Sequence, residues 1–138
     1  MIAVDTSALM AIVQGEPSSD AIIQILAAEG EVLISAGTVA EALVAAGRRN
    51  VADQMSALIE GLGATVTPVS SATARHVAGA YARWGKGVHP AGLNFGDCFA
   101  YALATERACP LLYVGGDFAR TDLPPWTDTP LGAHIDAP

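Results

Sequence analysis

Short apolar runs alternate along the chain with longer stretches in which apolar residues recur every three or four positions. Ile2-Ala3-Val4, Val32-Leu33-Ile34 and Leu111 to Val114 are uninterrupted and bounded by turn residues, which predicts buried strands. Thr65-Val66-Thr67, closed by Pro68, predicts a weaker edge strand. One more short strand is expected near Thr129 to Leu131. Between these runs the period changes. Pro17 suits a first helical residue, and Ile22, Ile25 and Leu26 then share a stripe that Gly30 stops. Ser35 to Thr38 can start a helix with Val39, Leu43 and Ala46 on its core face, ending at Gly47. Val51, Met55, Leu58, Ile59 and Leu62 have amphipathic-helix spacing. Ser71 can cap a helix burying Val77, Tyr81 and Trp84. After the loop GKGVHPAG, a helix from Phe95 carries Phe99, Ala102 and Leu103.

Strands separated by helices predict an α/β domain with a mainly parallel sheet and helices on both faces. In such folds ligands bind outside the carboxyl ends of the strands. The 138 residues are expected to form one domain, 1–138. A 51% hydrophobic content fits a packed core and argues against disorder. No apolar run approaches ~18 residues, and Asp5 interrupts any leader-like start, so a cytoplasmic protein without a membrane span is expected.

Cys98 and Cys109 lack metal-ligand spacing and read as buried thiols in a reducing compartment. His76, His89 and His134 are scattered and assemble no triad or zinc pattern. The net charge of −7 disfavours general electrostatic attraction to nucleic acid. It remains compatible with a nuclease whose acids are clustered to hold metal ions.

Four acids stand where this topology would place a site. Asp5 follows the first strand, Glu41 lies early in the helix after the second, Asp97 begins the helix after GKGVHPAG, and Asp117 follows the Leu111 to Val114 strand. Each has a structural alternative. Asp5 or Ser7 can cap a helix, Glu41 can face water, Asn94 and Asp97 can form a capping pair, and Asp117 can make an Asx turn. Together they are harder to explain that way. Like charges ~4 Å apart cost on the order of 4 kcal/mol at an effective dielectric of 20, which calls for a cation or for protonation. Carboxylates without His or Cys suit Mg²⁺ or Mn²⁺, and phosphodiester hydrolysis is the reaction such a set serves.

The stretches DTSAL at 5–9, Glu41 alone in its helix, HPAGLNFGDCFAYALA at 89–104 and LLYVGGDFARTD at 111–122 resemble the PIN-domain ribonucleases. More narrowly they resemble the VapC toxins of bacterial toxin–antitoxin pairs. The resemblance spans nearly the whole chain in matching order. It implies a PIN-like three-layer sandwich around a five-stranded, mainly parallel sheet. It implies Mg²⁺- or Mn²⁺-dependent endonucleolytic cleavage of RNA, whether tRNA, rRNA or mRNA. Asp5, Glu41, Asp97 and Asp117 match the family's acidic quartet. Ser7 matches the small hydroxyl residue that orients the first acid or a metal-bound water. Asp122 matches an acid able to serve as an outer ligand, and competes with Asp117 for the fourth position. Asn94 matches a polar position common in this subgroup, with helix capping as its alternative. Arg120, and Lys86 and His89 of the glycine-rich loop, are candidates for touching RNA phosphates, with a surface or connector role as the alternative. The expected partners are a cognate antitoxin, an RNA substrate and a second copy of the chain.

Rival readings fit less well. A haloacid-dehalogenase-like phosphatase needs a second Asp where Ser7 stands. A response-regulator receiver needs a late Lys, and the only lysine is Lys86. A PIN-like domain acting as a non-catalytic RNA- or protein-binding partner is the alternative that sequence leaves open.

Overall fold

A computed structural model describes residues 1–124 and 134–135. Strands β1 (Ile2–Val4), β2 (Val32–Ser35), β3 (Thr65–Thr67) and β4 (Leu111–Val114) make the body of the sheet. A two-residue β5 (His134–Ile135) extends it, in the order β3-β2-β1-β4-β5. Every neighbouring pair is parallel. The strand expected near Thr129 to Leu131 lies outside the described residues.

Six helices connect the strands: α1 (Thr6–Val13), α2 (Ser19–Ala28), α3 (Ala36–Arg48), α4 (Ala52–Gly61), α5 (Ser71–Trp84) and α6 (Phe95–Arg107). Side chains alternate across the sheet, as the two-residue strand period requires. Ile2, Val4, Ile34 and Leu112 pack with residues of α1 to α4, including Leu9, Ile22, Ala42 and Met55. Ala3, Leu33, Leu111 and Tyr113 pack with α5 and α6 through Val77, Trp84 and Leu103. Fully burying one such Leu, Ile or Val contributes roughly 1.5–3 kcal/mol, so both layers are held by burial. No described helix is long and apolar enough to cross a membrane.

Several details differ from the sequence pattern. The apolar stretch after Asp5 is itself a helix, α1, which the pattern did not mark. On α3, Thr38, Ala42 and Ala46 are buried, whereas Leu43 is 37% exposed. Ala42 and Ala46 pack in the layer formed with β1, β2, α1 and α4, and on a neighbouring face Gly37 lets α6 approach: a Cβ there would lie 2.3 Å from the Phe99 ring. On α5 the buried stripe is Val77, Ala80 and Trp84, leaving Tyr81 39% exposed. Its cap is Ser70 rather than Ser71, since the Ser70 hydroxyl accepts from the Thr73 amide at 3.1 Å. Cys98 and Cys109 are free, buried thiols.

The chain runs outward from β1 to β2 and β3, then returns to the opposite side of β1 as β4. In open α/β sheets ligands bind at such a reversal, outside the carboxyl ends of the strands, here β1 and β4. Asp5 and Asp117 follow those two strands.

Candidate active site

Asp5 leaves β1 in an extended conformation and caps α1. Its Oδ2 accepts from the Ser7 amide at 3.0 Å and from the Ser7 hydroxyl at 2.7 Å. The residue is only 2% exposed, and its Oδ1 is buried with no hydrogen-bond partner. A buried carboxylate oxygen without a donor is expensive. Burial therefore pushes the Asp5 carboxyl up to about 6, against the Ser7 hydrogen bonds and with help from the Glu41 charge. The Ser7 hydroxyl also accepts from the Val114 amide at 3.0 Å, which ties the end of β1 to the end of β4.

Glu41 projects from α3 and is half-buried. The Thr6 hydroxyl donates to its Oε1 at 2.5 Å. Its Oε2 lies over Gly96 at the start of α6, where an added Cβ would be 1.5 Å away.

Asp97 stands in the first turn of α6. Its Oδ2 accepts from the Asn94 amide at 2.9 Å, and Asn94 Oδ1 accepts from the Asp97 amide at 2.8 Å. Asn94 is thus a helix cap, and Asp97 completes a capping box. Capping does not exhaust the role of Asp97. Its carboxyl is pushed up to about 7, first by burial, then by the Asp5 charge, with Glu41 and Asp117 adding to the rise. The charges of Asp5, Glu41 and Asp117 thus all reach Asp97, and that of Glu41 also reaches Asp5. Asp117 opens the turn Phe118–Arg120, is exposed and makes no side-chain cap bond.

Residues 2–123 match the family model of the PIN domain. The chain is 45% identical over 125 residues to Ribonuclease VapC36 of Mycobacterium tuberculosis, covering 87% of this chain and 89% of that one. The chain belongs to the PIN-domain family, among the VapC-type ribonucleases. It is also 36% identical over 138 residues to the VapC ribonuclease R02377 of Rhizobium meliloti, covering 87% and 97% of the two chains. Two solved structures share the fold. VapC20 of Mycobacterium tuberculosis, described as a Sarcin-Ricin loop cleaving toxin, superposes with a TM-score of 0.73 at 18% identity, covering 90% of this chain and 97% of that one. A toxin–antitoxin complex from Klebsiella pneumoniae gives 0.65 at 16% identity, covering 98% and 96%.

The remaining residues singled out in this PIN domain are engaged elsewhere. Asp122 Oδ1 accepts from the Tyr101 hydroxyl at 2.5 Å, and its Oδ2 pairs with Arg83 at 3.3 Å. Tyr101 in turn accepts from Trp84 Nε1 at 3.1 Å. Asp122 thus anchors the segment after β4 onto α5 and α6. Arg120 donates to the Pro90 carbonyl at 3.3 Å, holding the glycine-rich loop. His89 accepts from the Ala91 amide at 3.0 Å and packs edge-on against Trp84, a structural role within that loop. Lys86 is exposed.

Two residues at the site escaped the sequence pattern, Thr6 and Gly96. Thr6 reads as an ordinary first residue of a helix. The one local sign at Gly96 is a poor helix former inside a first turn.

Among the described residues, no group of three or more His, Cys, Asp or Glu side chains stands close enough together to hold a metal ion as it is. The donor set nonetheless fits a hard divalent ion. It is all carboxylate oxygen, it includes the unpartnered Asp5 Oδ1, and mutual repulsion and burial raise two of its members toward neutrality.

Proposed function

We propose that this protein is a Mg²⁺-dependent endoribonuclease, with Mn²⁺ able to substitute, and the toxin half of a toxin–antitoxin pair in the cytoplasm. The observation that carries the reading is the buried, unpartnered Oδ1 of Asp5 within reach of the charges of Glu41 and Asp97. A buried acceptor left without a partner calls for a water, an ion or a catalytic role, and beside other carboxylates a cation is the group that satisfies it.

Asp5, Glu41, Asp97 and Asp117 would hold the ion. When bound, it supplies charge against the scissile phosphate and lowers the pKa of an attacking water. The chain's own residues do the positioning. Ser7 fixes Asp5 against β4, and the Asn94–Asp97 box fixes the rotamer of Asp97. The loop leading to α6 is less repulsive to RNA: residues 61–96 contain no Asp or Glu, and Lys86 in that loop is exposed.

The relatives' names supply the reaction class, and the Klebsiella complex supplies the precedent for a partner. The antitoxin segment that inhibits this chain places an Arg or Lys among the four acids, since a guanidinium can pair with a carboxylate in bidentate fashion. A second copy of the chain is the remaining expected partner, as a homodimer.

The test is cleavage of purified tRNA and rRNA. Cuts in Mg²⁺ that vanish in EDTA and in Asp5→Asn support the proposal. Equal cutting in EDTA would contradict it. Mapping RNA 5′ ends in cells after induced expression then identifies the target.

A further inference from the structure

Glu41 reaches the other acids from α3, and two residues on other helices decide where its carboxylate goes. Thr6 is the first residue of α1, directly after Asp5. Its hydroxyl is not spent on capping, because Asp5 is the cap. It crosses 35 positions of sequence to donate to Glu41 Oε1 at 2.5 Å, at the short end of charge-assisted O–H···O⁻ bonds. On the far side of the carboxylate lies Gly96. A Cβ there would stand 1.5 Å from Oε2, 2.2 Å from Cδ and 2.8 Å from Oε1 of Glu41.

We propose that Thr6 and Gly96 are positioning residues for Glu41. Thr6 holds one carboxylate oxygen, and the missing side chain of Gly96 leaves the space that the other oxygen fills. The inference rests on reading the acidic quartet as a metal site, and deepens it.

Backbone conformation does not explain this glycine. Gly96 is not in the left-handed region, unlike Gly92 at φ +60° and Gly115 at φ +100°. Glycine also disfavours the helix it stands in, where alanine would be preferred. What remains is room, and the group that uses it is the end of the Glu41 side chain. The contrast with Gly37 is informative. There a Cβ would strike the Phe99 ring, so that glycine serves core packing. At Gly96 the obstacle is the far end of a flexible side chain. An added methyl can be accommodated by swinging Glu41 away, at the expense of the site rather than of the fold. The Thr6 bond opposes that swing, so the two residues act on the same carboxylate from opposite sides.

The experiment is a Mn²⁺ titration by calorimetry, paired with melting in EDTA, on Gly96→Ala in the wild-type and Glu41→Ala backgrounds. Thr6→Val and Thr6→Ser run beside them. Gly96→Ala is expected to keep or raise the metal-free melting temperature, because alanine is the better helix former, while weakening Mn²⁺ binding by about tenfold or more. With Glu41 already truncated, the added methyl should change Mn²⁺ affinity by less than about twofold, since its target is gone. Thr6→Val should weaken binding, and Thr6→Ser should restore most of it. An equal Gly96→Ala loss in both backgrounds, or a loss matched by a fall in metal-free melting temperature, would overturn the proposal. So would wild-type affinity in both Gly96→Ala and Thr6→Val. A wild type that binds no Mn²⁺ would overturn the metal reading and this inference together, whereas a Glu41→Ala defect not shared by Gly96→Ala would overturn this inference alone.

Discussion

Ser7 and Asp5 act as one unit. The Ser7 hydroxyl donates to Asp5 Oδ2 at 2.7 Å while accepting from the Val114 amide at 3.0 Å, so a single hydroxyl links the first acid to the strand that leads to Asp117. Ser7→Ala removes a donor from Asp5 and leaves the Val114 N–H unpaired. The expected loss is about 1–3 kcal/mol of stability, measured by chemical denaturation. Because the Ser7 bonds hold the Asp5 carboxyl down, its midpoint should move above the present value of about 6. A carboxyl-carbon NMR titration in EDTA reads that shift, and an unmoved midpoint would mean that Ser7 does not tune Asp5.

The metal-free protein should have an inverted pH dependence. Asp5 and Asp97 are raised to about 6 and about 7 in the folded state, above the ~3.9 of an unfolded Asp. Between those values the folded chain keeps protons that the unfolded chain has released. Stability therefore falls as pH rises from about 4 to about 7. The two groups interact, so the transition belongs to the pair. Melting in EDTA should give a higher midpoint at pH 5 than at pH 8, and Mn²⁺ should raise the pH 8 value most. A metal-free maximum at pH 8 would contradict the raised values.

Asp97 is both a cap and a charged member of the quartet, and two substitutions separate the roles. Asp97→Asn keeps an acceptor for the Asn94 amide but removes the charge. It should abolish cleavage and raise the metal-free melting temperature by a few degrees, corresponding to about 1 kcal/mol. Asp97→Ala loses the cap bond as well, worth about 1 kcal/mol, and should melt below Asp97→Asn. If both variants melt below wild type by similar amounts, charge repulsion is not stored at this position.

The positions of the acids were legible because the topology is. Three short apolar runs, each followed by a polar turn or helix start, mark the carboxyl ends of the strands, and the structure brings Asp5, Glu41 and Asp117 within electrostatic reach of Asp97 there. The helix faces were less legible. Leu43 is exposed while Thr38, Ala42 and Ala46 are buried, and Ala42 and Ala46 pack with α1, α4 and the sheet, contacts between residues distant in the chain. Thr6 and Gly96 were hidden for the same reason, since their meaning depends on where Glu41 goes. Asp122 shows what spacing alone does not carry. Its place after Asp117 suggests an outer ligand, and the structure adds that Tyr101 and Arg83, from two other helices, bond to its two oxygens.

Asp117 and Asp122 should therefore behave differently. Asp117→Asn should weaken Mn²⁺ binding with little change in metal-free melting temperature, since its side chain makes no cap bond. Asp122→Asn should do the reverse, keeping Mn²⁺ affinity while losing about 0.5–1 kcal/mol of stability, since it removes the exposed Arg83 ion pair and the charge on the Tyr101 bond but leaves Tyr101 an acceptor. Calorimetric Mn²⁺ titration and thermal melts of the two variants check this. A larger binding loss from Asp122→Asn would reverse the assignment.

The claim on which the account turns is that the bare Asp5 Oδ1 waits for a cation shared with its acidic neighbours. Anomalous diffraction from a crystal soaked in Mn²⁺ measures this directly. The account predicts a peak within bonding distance of Asp5 Oδ1 and of at least one of Glu41, Asp97 and Asp117, absent from an Asp5→Asn crystal treated identically. A fully soaked crystal with no peak there, and with Asp5 Oδ1 still unpartnered, would contradict it.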